Sequence, residues 1–190
     1  MAERADAVRN RRAILLATEE LLTRFPPEQI SMERVAVAAG VGKGTVFHRF
    51  GSRSGLMLAL MQERALALHE AVLDGPPPLG PGAPARERLL AFLDGVVEVV
   101  ARNKGLLAAL GHAEAVGHAP SDEPSPIYVF WHGHVAGLIA EARPELDAET
   151  LAHLLLAPMR SGDIHRLLAE GGAERLSAGF RTLASATLNL

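Results

Sequence analysis

The residues best equipped for chemistry lie close together, in Gly40-Val41-Gly42-Lys43-Gly44-Thr45 and the Phe47, His48 and Arg49 that follow. Glycines around a lysine suggest a loop that cradles phosphate. A P-loop, however, needs glycine at position 37, where this chain has Val37, and Ser or Thr directly after the lysine, where it has Gly44. Gly51-Ser52-Arg53-Ser54-Gly55 fails as a nucleophile elbow because its central residue is arginine. Eight histidines raise the question of acid–base or metal chemistry. His132 and His134 are two apart and would point in different directions on a helix. His112, His118, His153 and His165 have no carboxylate at a known ligand spacing. There is no cysteine, which excludes disulfides and thiolate metal sites and fits a reducing compartment. We therefore expect no catalytic residues, no metal and no cofactor.

Charge points elsewhere. Residues 1–60 hold nine Lys/Arg against six acids, a net of +3, while residues 61–190 hold ten against sixteen, a net of −6. A basic head on an acidic body suggests that only the head meets a polyanion. The N-terminal MAERADAVRNRRAILLA carries acids and no long apolar core, so a signal peptide is not expected. No stretch approaches the roughly 20 apolar residues that span a bilayer. A cytoplasmic protein without membrane contact is the expectation.

The elements that must position these residues are helical. Of the 190 residues, 48% are apolar but only 4% aromatic, and the Ala- and Leu-rich remainder favours helix. The spacing predicts a first helix from about Asp6 to Phe25, ended by Pro26-Pro27. Ser31 is a good N-cap for a short second helix, although Arg34 stands where a capping box would need Glu or Gln. Gly40 ends it. A third helix covers about Gly42–His48, and a fourth runs from Ser52 to about Leu73 with Leu56, Leu60, Ala67 and Leu68 at helical spacing. Residues 75–84, GPPPLGPGAP, form a loop. Further helices are predicted at 85–103, 105–116, 127–142, 147–170 and 173–188, with a loop at 117–126. The fold class is all-α, about nine helices in total.

A helix-turn-helix packs two short helices steeply around a tight turn. It needs a small residue where the helices cross, glycine at the turn and an aliphatic plug on the second helix. Ala36, Gly40 and Val46 supply these, with Val35, Ala39 and Val41 as apolar neighbours. The fuller string goes further. Ile14-Leu15, Ala17, Leu21-Leu22, Phe25, Ser31, Val35-Ala36, Ala39-Gly40-Val41, Gly44-Thr45, Phe47, Phe50 and Ser52-Arg53…Leu56 together resemble the tetracycline-repressor (TetR) family. The resemblance covers about residues 10–60, and the rest matches only as a variable helical body.

That resemblance implies an N-terminal DNA-binding domain, residues 1–52 with its motif at about 31–50, joined to a helical effector-binding and dimerisation domain, residues 53–190. It implies a homodimeric operator-binding regulator, most simply a repressor released by a small-molecule effector. The alternatives are an enzyme or a helical interaction module without DNA binding. Lys43, Gly44, Thr45, Phe47 and His48 would meet double-stranded operator DNA, Arg53 would clamp a phosphate, and Ser31 would cap its helix or bring that helix's N-terminus to a phosphate. Phe47 stands where the family has tyrosine, which removes one hydroxyl-to-phosphate bond. Phe50 is core. An apolar or aromatic effector would be enclosed by Phe92, Val96, Val99, Leu106, Leu110, Tyr128, Trp131 and His134. Leu151, Leu154, Leu155, Met159, Leu167, Leu176, Phe180 and Leu183, on the last two predicted helices, would form a two-fold interface.

Overall fold

A computed structural model describes residues 2–110 and 126–189, and every regular element among them is helical. Nine α-helices are described: α1 (Ala2–Leu22), α2 (Met32–Ala38), α3 (Lys43–Phe50), α4 (Arg53–Asp74), α5 (Ala85–Leu110), α6 (Pro126–Ala142), α7 (Ala148–Leu156), α8 (Gly162–Ala169) and α9 (Ala173–Asn189). Short 3-10 turns occupy Pro27–Gln29 and Ala157–Arg160. None of the described helices is long and apolar enough to cross a membrane.

The chain divides into two compact units. The first runs through Arg64 and takes back the chain from Gly105; the second holds Ala65–Lys104 and the C-terminal helices. The border thus falls inside α4, not at residue 52, the expected end of the DNA-binding domain.

In the first unit Ile14 and Leu15 of α1, Val35 and Ala36 of α2, Val46 and Phe50 of α3, and Leu56, Met57 and Leu60 of α4 share one core. Leu106 of α5 completes it. On α4 the buried positions recur every four residues, at Leu56, Leu60, Arg64, Leu68 and Val72. Ala67, expected on that face, points outward, and Ala65 is buried instead. Arg64 lies in the buried row, and a charge so placed must be paired. Its Nε and Nη2 donate to the two carboxylate oxygens of Glu19 on α1, at 2.7 and 2.9 Å. This bidentate pair ties α1 to α4.

The second unit is built around Phe92, Leu93 and Val96 of α5, Val135 and Ile139 of α6, Ala152 and Leu156 of α7, and Phe180 and Ala184 of α9. Gly95 of α5 leaves room for the Leu68 side chain of α4, whose Cδ1 would lie 2.7 Å from a Cβ there.

Three expectations are corrected. First, α1 ends at Leu22, three residues before the predicted stop, with Phe25 N–H still donating to Leu21 O at 2.9 Å. Second, α5 passes through Lys104-Gly105 without a break to Leu110. Gly105 is exposed with open space at its Cβ position, so it costs some helix propensity and nothing in packing. The end of the helix expected at 105–116 and most of the loop expected at 117–126 lie outside the described residues. Third, the helix expected over 147–170 is two helices. Pro158 lacks the N–H that would continue α7, and the Ser161 hydroxyl accepts from Ile164 N–H (3.3 Å) to start α8.

Candidate nucleic-acid interface

The turn between α2 and α3 is fixed by its own backbone. The Ser31 hydroxyl accepts from Arg34 N–H at 3.1 Å and caps α2. At the other end Val41 N–H donates to Ala36 O (3.0 Å) and Gly40 N–H to Val37 O (3.2 Å), the paired bonds of a Schellman motif. Gly40 takes φ = +65°, a conformation that disfavours any residue with a Cβ. Val46 is fully buried beneath the turn, as the spacing predicted, and Phe50 is nearly so, as the resemblance implied.

With Val46 and Phe50 inward, α3 turns the opposite edge to solvent. Lys43 and Phe47 lie one turn apart, as do Gly44 and His48, and all four are exposed; Thr45 is half-buried. Phe47 is 40% exposed, a large apolar area for a lone surface ring. The Lys43 ammonium lies 5.5 Å from the centre of that ring and forms an ion pair with Glu33 of α2. The hydrogen bond from Lys43 holds the Glu33 carboxyl below its usual range. The sequence showed Glu33 only as an acid in the first turn of α2. Its meeting with Lys43 across the motif was not visible.

Arg53 has a different position from the one expected of it. Its Nε donates to Ile30 O (3.1 Å) and its Nη2 to Pro27 O (2.7 Å). The guanidinium therefore braces the segment that leads into α2, and only its remaining N–H groups are available to an outside anion. Arg34 is similarly engaged, over the Phe25 ring at 4.0 Å and on Gln29 O at 3.2 Å.

In the second unit, Phe92 and Val96 are fully buried, while Val99, Tyr128 and Trp131 pack against the same core half-buried. The Phe92 ring meets Trp131 edge-on at 6.4 Å and the half-buried His134 at 4.8 Å. Burial, and secondarily the Arg88 cation, lower the His134 pKa to about 4, so this imidazole is neutral near pH 7. Tyr128 Oη is hydrogen-bonded to His153 Nδ1 at 2.8 Å. Leu106, assigned to this group from sequence, belongs instead to the core of the first unit, because α5 continues straight past it. The side chain of Leu110 lies outside those described.

Of the residues assigned to a two-fold interface, Leu155, Met159, Leu176 and Phe180 are buried within the chain's own core, and Leu151 and Leu167 pack against it. They offer a second chain little surface. Leu154 of α7, 64% exposed, and Leu183 of α9, 59% exposed, do face solvent.

Residues 14–60 match the family described as bacterial regulatory proteins, tetR family. The HTH-type transcriptional regulator BetI of Escherichia coli O17:K52:H18 (strain UMN026 / ExPEC) is 33% identical over 85 residues. That match takes in 45% of this chain and 43% of BetI, so the chain spans under half of this relative's length. The fold is similar to that of a TetR-family transcriptional regulator from Rhodococcus sp., with a TM-score of 0.62 at 22% identity over 95% of this chain and 99% of that one. Regulatory protein TetR from Rhodobacter sphaeroides gives 0.54 at 22% identity, over 90% and 96% of the two chains. Salmonella enterica GusR gives 0.54 at 19% identity, over 95% and 96%. The likeness to the solved structures concerns fold. The match to the tetR family of bacterial regulatory proteins is confined to residues 14–60, about a quarter of the chain.

Proposed function

We propose that the chain is an operator-binding transcriptional regulator, a repressor that a small effector releases from DNA. The exposed edge of α3 carries this reading. A helix held by Val46 and Phe50 presents Lys43, Gly44, Phe47 and His48 side by side, a width and polarity suited to a major groove. Lys43 supplies charge, Gly44 allows close approach of the backbone, and the Phe47 ring suits a thymine methyl. The positive balance of residues 1–60 favours a polyanion at this end of the chain.

One such head reads too few base pairs for selectivity, so the active species is a two-fold dimer. Leu154 and Leu183 are the apolar side chains on α7 and α9 left for that contact. The effector binds in the second unit beside Phe92, Trp131 and His134. Selection of bound sequences from random duplex DNA tests the reading. A two-fold-symmetric site, bound with a steep salt dependence, is the expected outcome. Absence of any enriched sequence would leave an interaction module as the better description.

A further inference from the structure

Trp131 Nε1 and His134 Nε2 are buried from water and have no hydrogen-bond partner, and the same is true of Arg88 Nε. Most buried polar atoms in folded proteins are paired, so three such nitrogens on facing helices need a reason. Trp131 and His134 are one turn apart on α6, and both rings lie against Phe92, which is fully buried on α5. Arg88, one turn before Phe92, is close enough to His134 for its charge to act on the imidazole. His134 thus has an apolar neighbour in Phe92, 4.8 Å away, and a second in Phe130, 6.1 Å away with its ring nearly parallel.

The donor inventory limits what the group accepts. An indole N–H and a guanidinium Nε–H can only donate, and a neutral imidazole can carry its proton on Nε2. The indole and the guanidinium therefore lack an acceptor, and His134 lacks one in the tautomer protonated on Nε2. Charge narrows the choice further. The carboxylate paired with Arg88 is that of Glu141, at 3.9 Å, beyond hydrogen-bond reach and largely exposed. The cation is only partly compensated.

We propose that this site binds a monocarboxylate with an aromatic or aliphatic hydrocarbon body: the carboxylate takes hydrogen bonds from His134 Nε2 and Arg88 Nε, and the hydrocarbon packs on Phe92 and Trp131. The inference rests on the effector reading above and gives it a chemical class. Because His134 is neutral near pH 7, Arg88 is the counter-ion and His134 a hydrogen-bond donor.

The test uses the full-length protein without DNA. Benzoate, 3-phenylpropanoate and octanoate are titrated by calorimetry against benzyl alcohol, 3-phenylpropan-1-ol and octan-1-ol. At least one acid should bind once per chain, ten-fold or more tighter than its alcohol, and should shift the emission of Trp131, the sole tryptophan. Arg88→Met and His134→Phe should each bring the acid to within about three-fold of its alcohol. Failure of every acid to bind at 10 mM would overturn the proposal, as would equal affinity for acid and alcohol, or unchanged acid binding in both folded variants. The acid–alcohol comparison needs no variant and decides alone if a substituted chain does not fold. DNA release is scored separately. An acid that binds as described but leaves the operator complex intact supports this site and removes its role as the effector site.

Discussion

In the first unit Arg53 and Arg64 are drawn away from solvent, and each has fixed acceptors: two backbone carbonyls for Arg53, the Glu19 carboxylate for Arg64. In the second unit Trp131, His134 and Arg88 are drawn away from solvent too, and each has a nitrogen with no hydrogen-bond partner. A head that must present one rigid surface benefits from every bond it can make, because a misplaced helix cannot follow a groove. On the proposed function, a unit that exchanges a ligand would keep polar groups unpaired until the ligand arrives, at a cost in stability. Arg49 Nε, on the inner side of α3, is the exception in the head.

The comparison is most severely tested at Arg64. Arg64→Ala would strand the Glu19 carboxylate in a mostly buried setting and should cost about 3–5 kcal/mol in denaturant unfolding. Replacing both partners, Arg64→Met with Glu19→Leu, should recover most of that loss. A cost for the single variant below about 1 kcal/mol would mean that the pair behaves as a surface contact.

Arg53 and Lys43 separate bracing from reading. Arg53→Ala should lower stability by about 1–2 kcal/mol for two lost bonds to backbone, while the slope of log affinity against log salt stays nearly the same. Lys43→Ala should do the reverse, leaving stability intact and reducing that slope by about one. Equal loss of slope in both would restore Arg53 as a phosphate clamp.

His134 gives the smallest effect, in the second unit. Its folded pKa of about 4 is below the unfolded value near 6.5, so the imidazole must lose a proton to fit the native structure. The stabilisation is fully present above about pH 6.5 and is lost as the pH falls towards 4. Allowing for its half-open position, it amounts to about 1–2 kcal/mol. Urea unfolding at pH 7.5 and 4.5 should show that extra acid loss in the wild type relative to His134→Leu. Parallel losses in the two chains would show that His134 is not desolvated.

Local geometry explains which features were legible in the sequence. The Ser31 cap, the positive φ of Gly40 and the burial of Val46 and Phe50 depend on residues within about ten positions of one another, so their spacing carries the information. The carbonyls that hold Arg53 are 23 and 26 residues away, and Glu19 is 45 residues from Arg64. No local pattern encodes such meetings, although the four-residue period through Arg64 was a usable sign that it is buried. The break at Pro158-Met159-Arg160-Ser161 carried ordinary helix-stop and helix-start residues and was readable. The leucines of α7 and α9 were read as a surface for a partner chain because apolar periodicity alone does not say which apolar neighbour is met. Of the side chains grouped with Phe92, Val96, Val99, Tyr128, Trp131 and His134 do pack beside it, while Leu106 does not, because its place depends on the uninterrupted length of α5, and the side chain of Leu110 lies outside those described.

Leu106 also bears on how such proteins can be recombined. It is fully buried in the head's core, yet it enters from a helix that begins at Ala85. A fragment cut after Arg64 would lack it and would carry a leucine-sized hole, a defect that costs about 2–5 kcal/mol in other cores. Grafting this head onto a foreign body would leave the same vacancy unless the recipient brought an apolar side chain to the equivalent place. The first unit is therefore heritable only together with a later stretch of chain, and chimeras joined at residue 64 should fold poorly unless position 106 travels with them.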